Sequence, residues 1–278
     1  MVGGFEVIDV HHHVGDPSAV LGAMPLSGGP TPSGEGNVDE FAKRLEVMAA
    51  GGADKAIVIP GHGYLRPEGV KDTERINEGI AAYRDRDPDH FPVAVGVVEP
   101  TYGEHSLVEI DRVADELGLA GISFHVRFQG VSLDNRWVRT YVERIVEKGM
   151  TPVLHAVHET SENPLWKVAT LARAFPDAEM LVLDAFGSHE GTKECFFTAE
   201  VAPNLVFDTS LTHGWGLIEH FARSFGPHRV AFGTDLYSWP LGRQISPIAA
   251  EVAASGLDDD AKALILAGNA RRLFRIAP

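Results

Sequence analysis

Eight short runs rich in β-branched and aromatic residues recur along the chain, at residues 5–10, 55–59, 92–98, 121–125, 151–155, 179–184, 204–208 and 229–232. Each has the length and the Val, Ile and Phe content of a buried strand. The stretches between them repeat apolar residues at helical spacing. Phe41, Leu45 and Met48 do so, as do Val138, Val142, Ile145 and Val146, and again Leu165, Val168, Leu171 and Ala172. Strand and helix in alternation predict βαβ units and a parallel sheet. The count then sets the topology. Eight units in 278 residues leave about 35 residues for each, the size of one βα step, and eight such steps close into a barrel. The expected fold is therefore of the α/β class, a (β/α)8 TIM barrel forming a single domain over residues 1–278. An open doubly wound sheet usually carries a Gly-rich turn after its first strand. Here the first strand runs into His11-His12-His13 instead.

Charge narrows the partners. The chain has 24 basic and 39 acidic side chains, a formal net charge of −15. Nucleic acid and anionic membrane both reward positive charge, so neither is expected as a partner. A small-molecule substrate is, and a homodimer is the commonest arrangement should the protein assemble. The single cysteine, Cys195, rules out an internal disulfide, and the N-terminus carries no secretory pattern, so a cytoplasmic location is expected.

The chemistry gathers where the predicted strands end. Asp9-Val10-His11-His12-His13 closes the first strand. Strict alternation puts Asp9, His11 and His13 on one face and His12 on the other, toward the helix layer. His155 ends the fifth strand and Asp235 the eighth, in Gly233-Thr234-Asp235. In a closed barrel all strand ends meet at one mouth, where His11, His13, His155 and Asp235 form a donor set for one divalent ion. Zinc is the first expectation, with manganese, cobalt or iron as alternatives. Asp235 is also the expected catalytic base for a metal-activated water. His125, at the end of the fourth strand, is a second catalytic candidate. Arg127 is placed to pair with a substrate carboxylate, and His158 to line the same mouth. Trp239 is expected at the substrate, with Trp215 and Tyr237 completing a ring-stacking wall. Asp208 ends the seventh strand and is expected to orient a ligand. The loops at 15–37, 60–70 and 237–245 belong to the same face, the first with the length of a lid or binding loop.

These segments resemble the amidohydrolase superfamily, in particular the branch that contains metal-dependent hydrolases, lactonases and non-oxidative decarboxylases. Ile8-Asp9-Val10-His11-His12-His13, Gly121-Ile122-Ser123-Phe124-His125, Pro152-Val153-Leu154-His155-Ala156 and Phe232-Gly233-Thr234-Asp235 carry the resemblance. So does the terminal Gly268-Asn269-Ala270-Arg271-Arg272-Leu273-Phe274. The resemblance implies His11 and His13 as first-strand ligands, His155 as the fifth-strand ligand and Asp235 as the eighth-strand ligand or base. One departure stands out. The branch places a histidine at the end of its sixth strand, and Leu183-Asp184-Ala185-Phe186-Gly187 has Ala185 there. Asp184, His158 or His189 are the candidates to replace it. The expected activity is metal-dependent hydrolysis of an amide, ester or lactone. Non-oxidative decarboxylation of a small aromatic or unsaturated acid on the same site is the alternative. A metal-free lactonase, or a ligand-binding protein whose catalysis has lapsed, completes the set.

Overall fold

The structure is a computed structural model that describes residues 1–14, 40–61, 68–212, 214–237 and 246–277. Strands β1 (Ile8–Val14), β2 (Lys55–Pro60) and β3 (Val93–Ala94) form one parallel sheet in that order. Strands β4 (Gly96–Val97), β5 (Gly121–Phe124), β6 (Thr151–His155), β7 (Met180–Leu183), β8 (Leu205–Asp208) and β9 (Val230–Ala231) form a second. The two sheets join at both edges. β3 and β4 are successive pieces of one extended segment, the third of the eight expected strands. At the other edge Val10 N–H donates to Phe232 O (2.9 Å) and His13 N–H to Leu236 O (2.7 Å). These bonds tie β1 to the chain just beyond β9 and complete the parallel TIM barrel.

Helices α1 (Glu40–Gly51), α2 (Val70–Asp85), α3 (Glu104–Asp115), α4 (Arg136–Glu147), α5 (Leu165–Arg173), α6 (His189–Val201) and α7 (Trp215–Phe225) alternate with the strands. The shorter α8 (Ile248–Ala254), α9 (Asp259–Ala263) and α10 (Asn269–Phe274) follow. α4 shows the local logic. The Asn135 side chain caps its first turn by accepting from Trp137 N–H, and Val138, Tyr141, Val142 and Ile145 turn inward at helical spacing.

Alternation along the strands builds two cores. Ala56, Val58, Leu154, Val182 and Phe207 face the helices. Ile57, Ile59, Val153, Leu181, Leu183 and Val206 fill the barrel. Beneath them Ala267, Ala270, Leu273 and Phe274 close the floor, and buried Asn269 donates to Pro227 O and Val230 O to fasten α10 in place.

The first strand departs from its expected form. It begins at Ile8 rather than residue 5 and runs through all three histidines, because pairing with β2 extends to Val14 and Pro60. Its register slips between Asp9 and His12, the signature of a β-bulge. Ile8 and Val10 fill the barrel with the interior core, and His11 and His13 also face inward. Two successive residues, Val10 and His11, thus share a face. Asp9 is consequently not with His11 and His13, as alternation predicted. It bonds to His12 on the helix side.

Candidate metal centre

The mouth brings the expected ligands together. His11 Nε2 lies 3.0 Å from His13 Nε2, and His155 Nε2 lies 3.4 Å from the same atom. Asp235 Oδ1 is 3.3 Å from His11 Nε2 and 3.4 Å from His13 Nε2. All three imidazoles are fully or almost fully buried.

The other ring nitrogens determine what these atoms are. His13 Nδ1 sits 3.1 Å from Pro60 O, and His155 Nδ1 sits 3.1 Å from Phe124 O. A carbonyl oxygen only accepts, so each Nδ1 carries the proton and each Nε2 a lone pair. His11 Nδ1 faces Asp208 Oδ2 at 2.8 Å, which imposes the same tautomer. Three nitrogen lone pairs and a carboxylate oxygen therefore point at one another. Four of the pairs among these atoms stand 3.0–3.4 Å apart, close to the roughly 3.4 Å between ligands about 2.1 Å from a tetrahedral ion, and the ligand atoms of His11, His13 and His155 lie within 4.8 Å of one another, as do those of His11, Asp184 and Asp235. The donor set fits a divalent ion of the zinc or manganese type.

The electrostatics agree. Burial pulls the His11 pKa down, but Asp235, Asp208 and Asp184 outweigh it and push it up to about 10. With nothing else between the carboxylates, the cluster draws in a proton where a cation would sit. Burial, reinforced by the charge on His11, holds His13 well below the usual imidazole range. Burial and the neighbouring Asp184 and Asp208 raise Asp235 well above the usual carboxylate range, against the pull of His11.

Asp208 and Asp184 complete the rear of the site. Asp208 Oδ1 accepts from Ser210 Oγ (2.8 Å) and from Asp184 N–H (3.1 Å), which leaves Oδ2 for His11. Gly233 makes this possible, since a Cβ there would lie 2.6 Å from Asp208 Oδ2. Asp184 Oδ1 is 4.0 Å from His11 Nδ1 and lies 3.1 Å from Ser210 Oγ, whose single proton it shares with Asp208. Burial, with the charge on Asp208, pushes its carboxyl up to about 6 against the pull of His11. Asp184 and Asp235 both adopt left-handed backbone, φ 68° and 58°. This costs a non-glycine residue about 1–2 kcal/mol and aims both carboxylates where regular strand would not. Ala185, at the expected histidine position, packs instead with Phe186 in the core beneath the helices. His189 is exposed at the start of α6.

The remaining candidates separate into three groups. His125 is at the mouth, its ring stacked on His155 (4.6 Å between centroids) and packed against Phe128 (4.1 Å). Burial, with the charge on Arg127, pushes it down to about 3, so it is neutral. Arg127 is exposed beside it, its guanidinium 5.3 Å from the Phe128 ring, with no carboxylate partner among the described residues. Tyr237 stacks on His13 at 4.5 Å. His158 stands apart, paired with Glu194 on α6 at 2.7 Å, in an open cleft with Trp166 and Lys167. Trp215 is buried at the start of α7 in the outer core, so it forms no wall at the mouth. Trp239 lies outside the described residues, as do the proposed lid at 15–37 and most of the loops 60–70 and 237–245.

Sequence reasoning missed the polar layer behind β1. Asp9, His12, Arg44 and Thr234 are bonded to one another there. The clue was a conflict of parity. Ile8 and Val10 demand one face of the strand for the core, while His11 and His13 demand the other for the mouth, and only a bulge satisfies both.

Relatives of known structure share the whole fold. The 5-carboxyvanillate decarboxylase of Novosphingobium aromaticivorans DSM 12444, complexed with manganese and 4-hydroxy-3-methoxy-5-nitrobenzoic acid, is similar over 99% of this chain and 97% of that one, with a TM-score of 0.73 at 17% identity. The 5-carboxyvanillate decarboxylase of Sphingomonas paucimobilis is similar over 99% and 100%, with a TM-score of 0.71 at 17% identity. The 2,6-dihydroxybenzoate decarboxylase of Rhizobium is similar over 99% of both chains, with a TM-score of 0.69 at 16% identity. At these identities the likeness is one of fold. No curated protein matches the sequence. The amidohydrolase family profile matches residues 8–276. It begins at the first residue of β1 and ends beyond α10, taking in every strand of the barrel, and on that match the chain belongs to the amidohydrolase family.

Proposed function

We propose that this chain is a single catalytic domain that removes CO2 without oxidation from a small aromatic or unsaturated carboxylic acid, using one divalent ion. The observation that carries the reading is the convergence of three imidazole lone pairs and one carboxylate in a buried mouth, with an arginine that has no carboxylate partner among the described residues at its rim. His11, His13, His155 and Asp235 would hold the ion. Three nitrogens and one oxygen suit zinc, and the manganese bound by the Novosphingobium enzyme makes manganese the second candidate. The solved decarboxylases of the same fold support the choice of reaction and replace hydrolysis as the first reading.

The ion would supply Lewis-acid polarisation of the substrate's oxygens. The chain's own residues supply the rest. Arg127 binds the substrate acid through its guanidinium. His125, neutral and flanked by His155 and Phe128, offers a hydrogen-bonding ring nitrogen at the rim, and Tyr237 presents its ring beside His13. As the bond to the carboxylate breaks, its electron pair stays on the substrate carbon and CO2 leaves. Asp235, whose Oδ1 faces the imidazoles, hands a proton from Oδ2 to that carbon and regains it from solvent.

Hydrolysis stays as a second reading because of Ala185. With no histidine there, the acid–base groups around His11, apart from the Asp208 that holds its Nδ1, are the carboxylates Asp184 and Asp235, of which Asp235 stands beside Nε2 and suits taking a proton from water. The deciding experiment begins with metal content by elemental mass spectrometry of the wild type and of His11→Ala/His13→Ala. The loaded protein is then offered hydroxybenzoic acids, esters and lactones. The expected result is about one ion per wild-type chain, none in the double variant, and CO2 released from an acid. Ester or lactone cleavage without CO2 would transfer the assignment to the second reading. A wild type that takes up neither zinc nor manganese would end both.

A further inference from the structure

The helix-facing side of β1 holds a carboxylate that touches neither the mouth nor solvent, yet grips both elements that build it. Asp9 is completely buried, and four donors converge on it. Oδ1 accepts from His11 N–H (2.9 Å) and Thr234 N–H (3.1 Å). Oδ2 accepts from Thr234 Oγ1 (2.6 Å) and His12 Nε2 (2.7 Å). One side chain thus links the backbone of His11, on the first strand, to the residue immediately before Asp235, beyond the last strand. On the other side of Asp235, Leu236 exchanges backbone bonds with His11 and His13. The left-handed Asp235 is therefore held to β1 from both flanks.

A second layer holds Asp9 in turn. Arg44 on α1 is fully buried, and its Nη1 donates to His12 Nδ1 at 3.3 Å, which leaves the His12 proton on Nε2, facing Asp9. Arg44 Nη2 donates to His13 O (2.7 Å) and to Glu40 Oε1 (2.8 Å), and Tyr83 donates to Glu40 Oε2 at 3.0 Å. A buried charge network of this depth is expensive unless every member is bonded. An apolar pair would close the seam equally well, so closure alone does not explain it.

We infer that Asp9, backed by His12 and Arg44, is a positioning group that sets the distance between the first-strand and eighth-strand ligands and thereby the affinity of the mouth for its ion. This rests on the metal reading above. The bulge that turns Asp9 away from the mouth is what frees it for this work.

The test measures Co2+ binding by chelator competition and by the d–d absorption spectrum, which reports ligand geometry independently of turnover. Thermal unfolding of the metal-free proteins checks that each is folded. Asp9→Asn replaces one acceptor oxygen by a donor, and Thr234→Val removes the hydroxyl that donates to Oδ2. Both are expected to bind Co2+ about ten- to a hundredfold more weakly, with an altered spectrum. Thr234→Ser, which restores the hydroxyl, should return to within a few fold of wild type. Should Asp9→Asn fail to fold, Thr234→Val against Thr234→Ser decides. Folded variants with wild-type affinity and spectrum, beside a wild type that binds, would overturn this inference and leave the metal reading standing. A wild type that binds no Co2+ would overturn both.

Discussion

β6 displays both halves of the molecule within five residues. At its lower end Thr151 Oγ1 donates to Leu273 O (2.6 Å), tying the strand to the helix that seals the floor. Val153 follows on the same face, buried among Ile57, Leu181 and Val206. Two residues further, His155 enters the mouth. The floor is complete in itself, because burying apolar surface in a close-packed interior is favourable with nothing added. The mouth is as deeply buried but made of imidazoles and carboxylates. Its lone pairs and negative charges face each other, and only a proton or a metal ion between them removes the cost. One barrel thus joins a floor that holds itself together to a mouth whose groups favour a cation.

The comparison breaks if the two ends do not respond separately. The largest effect is expected at the floor. Leu181→Ala leaves a hole among side chains with no freedom to collapse and should cost about 2–5 kcal/mol of stability in denaturant unfolding. The molecules that remain folded should bind metal as wild type does, and a loss of affinity in them would mean the floor also tunes the mouth.

A smaller effect is expected behind the ligands. Asp208→Asn keeps an oxygen for the His11 Nδ1–H and removes the negative charge behind it. Metal affinity should fall by about ten- to a hundredfold in chelator competition, with the metal-free protein losing only about 1–2 kcal/mol, since the amide nitrogen would face the Ser210 and Asp184 donors that Oδ1 now accepts from. A large drop in metal-free stability would show that Asp208 belongs to the framework rather than to the cation site.

The last effect concerns pH and is spread over several pH units. In the metal-free protein His11 is raised from 6.5 to about 10, so its contribution to stability is complete below pH 6.5 and is lost as the pH rises through 10. Asp184, raised from 3.8 to about 6, has the same sign in a lower window, and its contribution is lost as the pH climbs from 3.8 through 6. The melting temperature of chelator-stripped protein should therefore fall between pH 6.5 and 10. The manganese- or zinc-loaded protein should lose that dependence, because the ion occupies the place of the proton. A stripped protein whose melting temperature is level or rising across that window would contradict the cation-seeking character of the mouth.

Much of this was legible in the chain. The barrel could be counted from eight β-branched runs, because burial on both faces leaves a parallel strand little choice of composition. His11, His13, His155 and Asp235 could be named because each stands at or near a predicted strand end, and a closed barrel sends those ends to one mouth. Asp9 could not be assigned correctly. Its neighbours Ile8 and Val10 obey one parity and His11 and His13 the other, and the place where a strand shifts is decided by pairing with β2. Nor could Asp184 be separated from Ala185. Their order in the chain says nothing of the left-handed turn that sends the carboxylate to the mouth and the methyl group to the outer core. Arg44 sits on a helix whose other buried residues are apolar, and its long side chain was bound to read as solvated.

Composition and spacing thus determined the architecture and the identity of the inward-facing donors, since both follow from local periodicity and the geometry of closure. Which carboxylate faces the imidazoles of the mouth and which bonds to the backbone behind them was decided only in three dimensions. A single bulge and two left-handed residues reverse the direction of a side chain, and what holds them there comes from other strands, from Asp208 and Ser210 on Asp184 to Thr234 on Asp9.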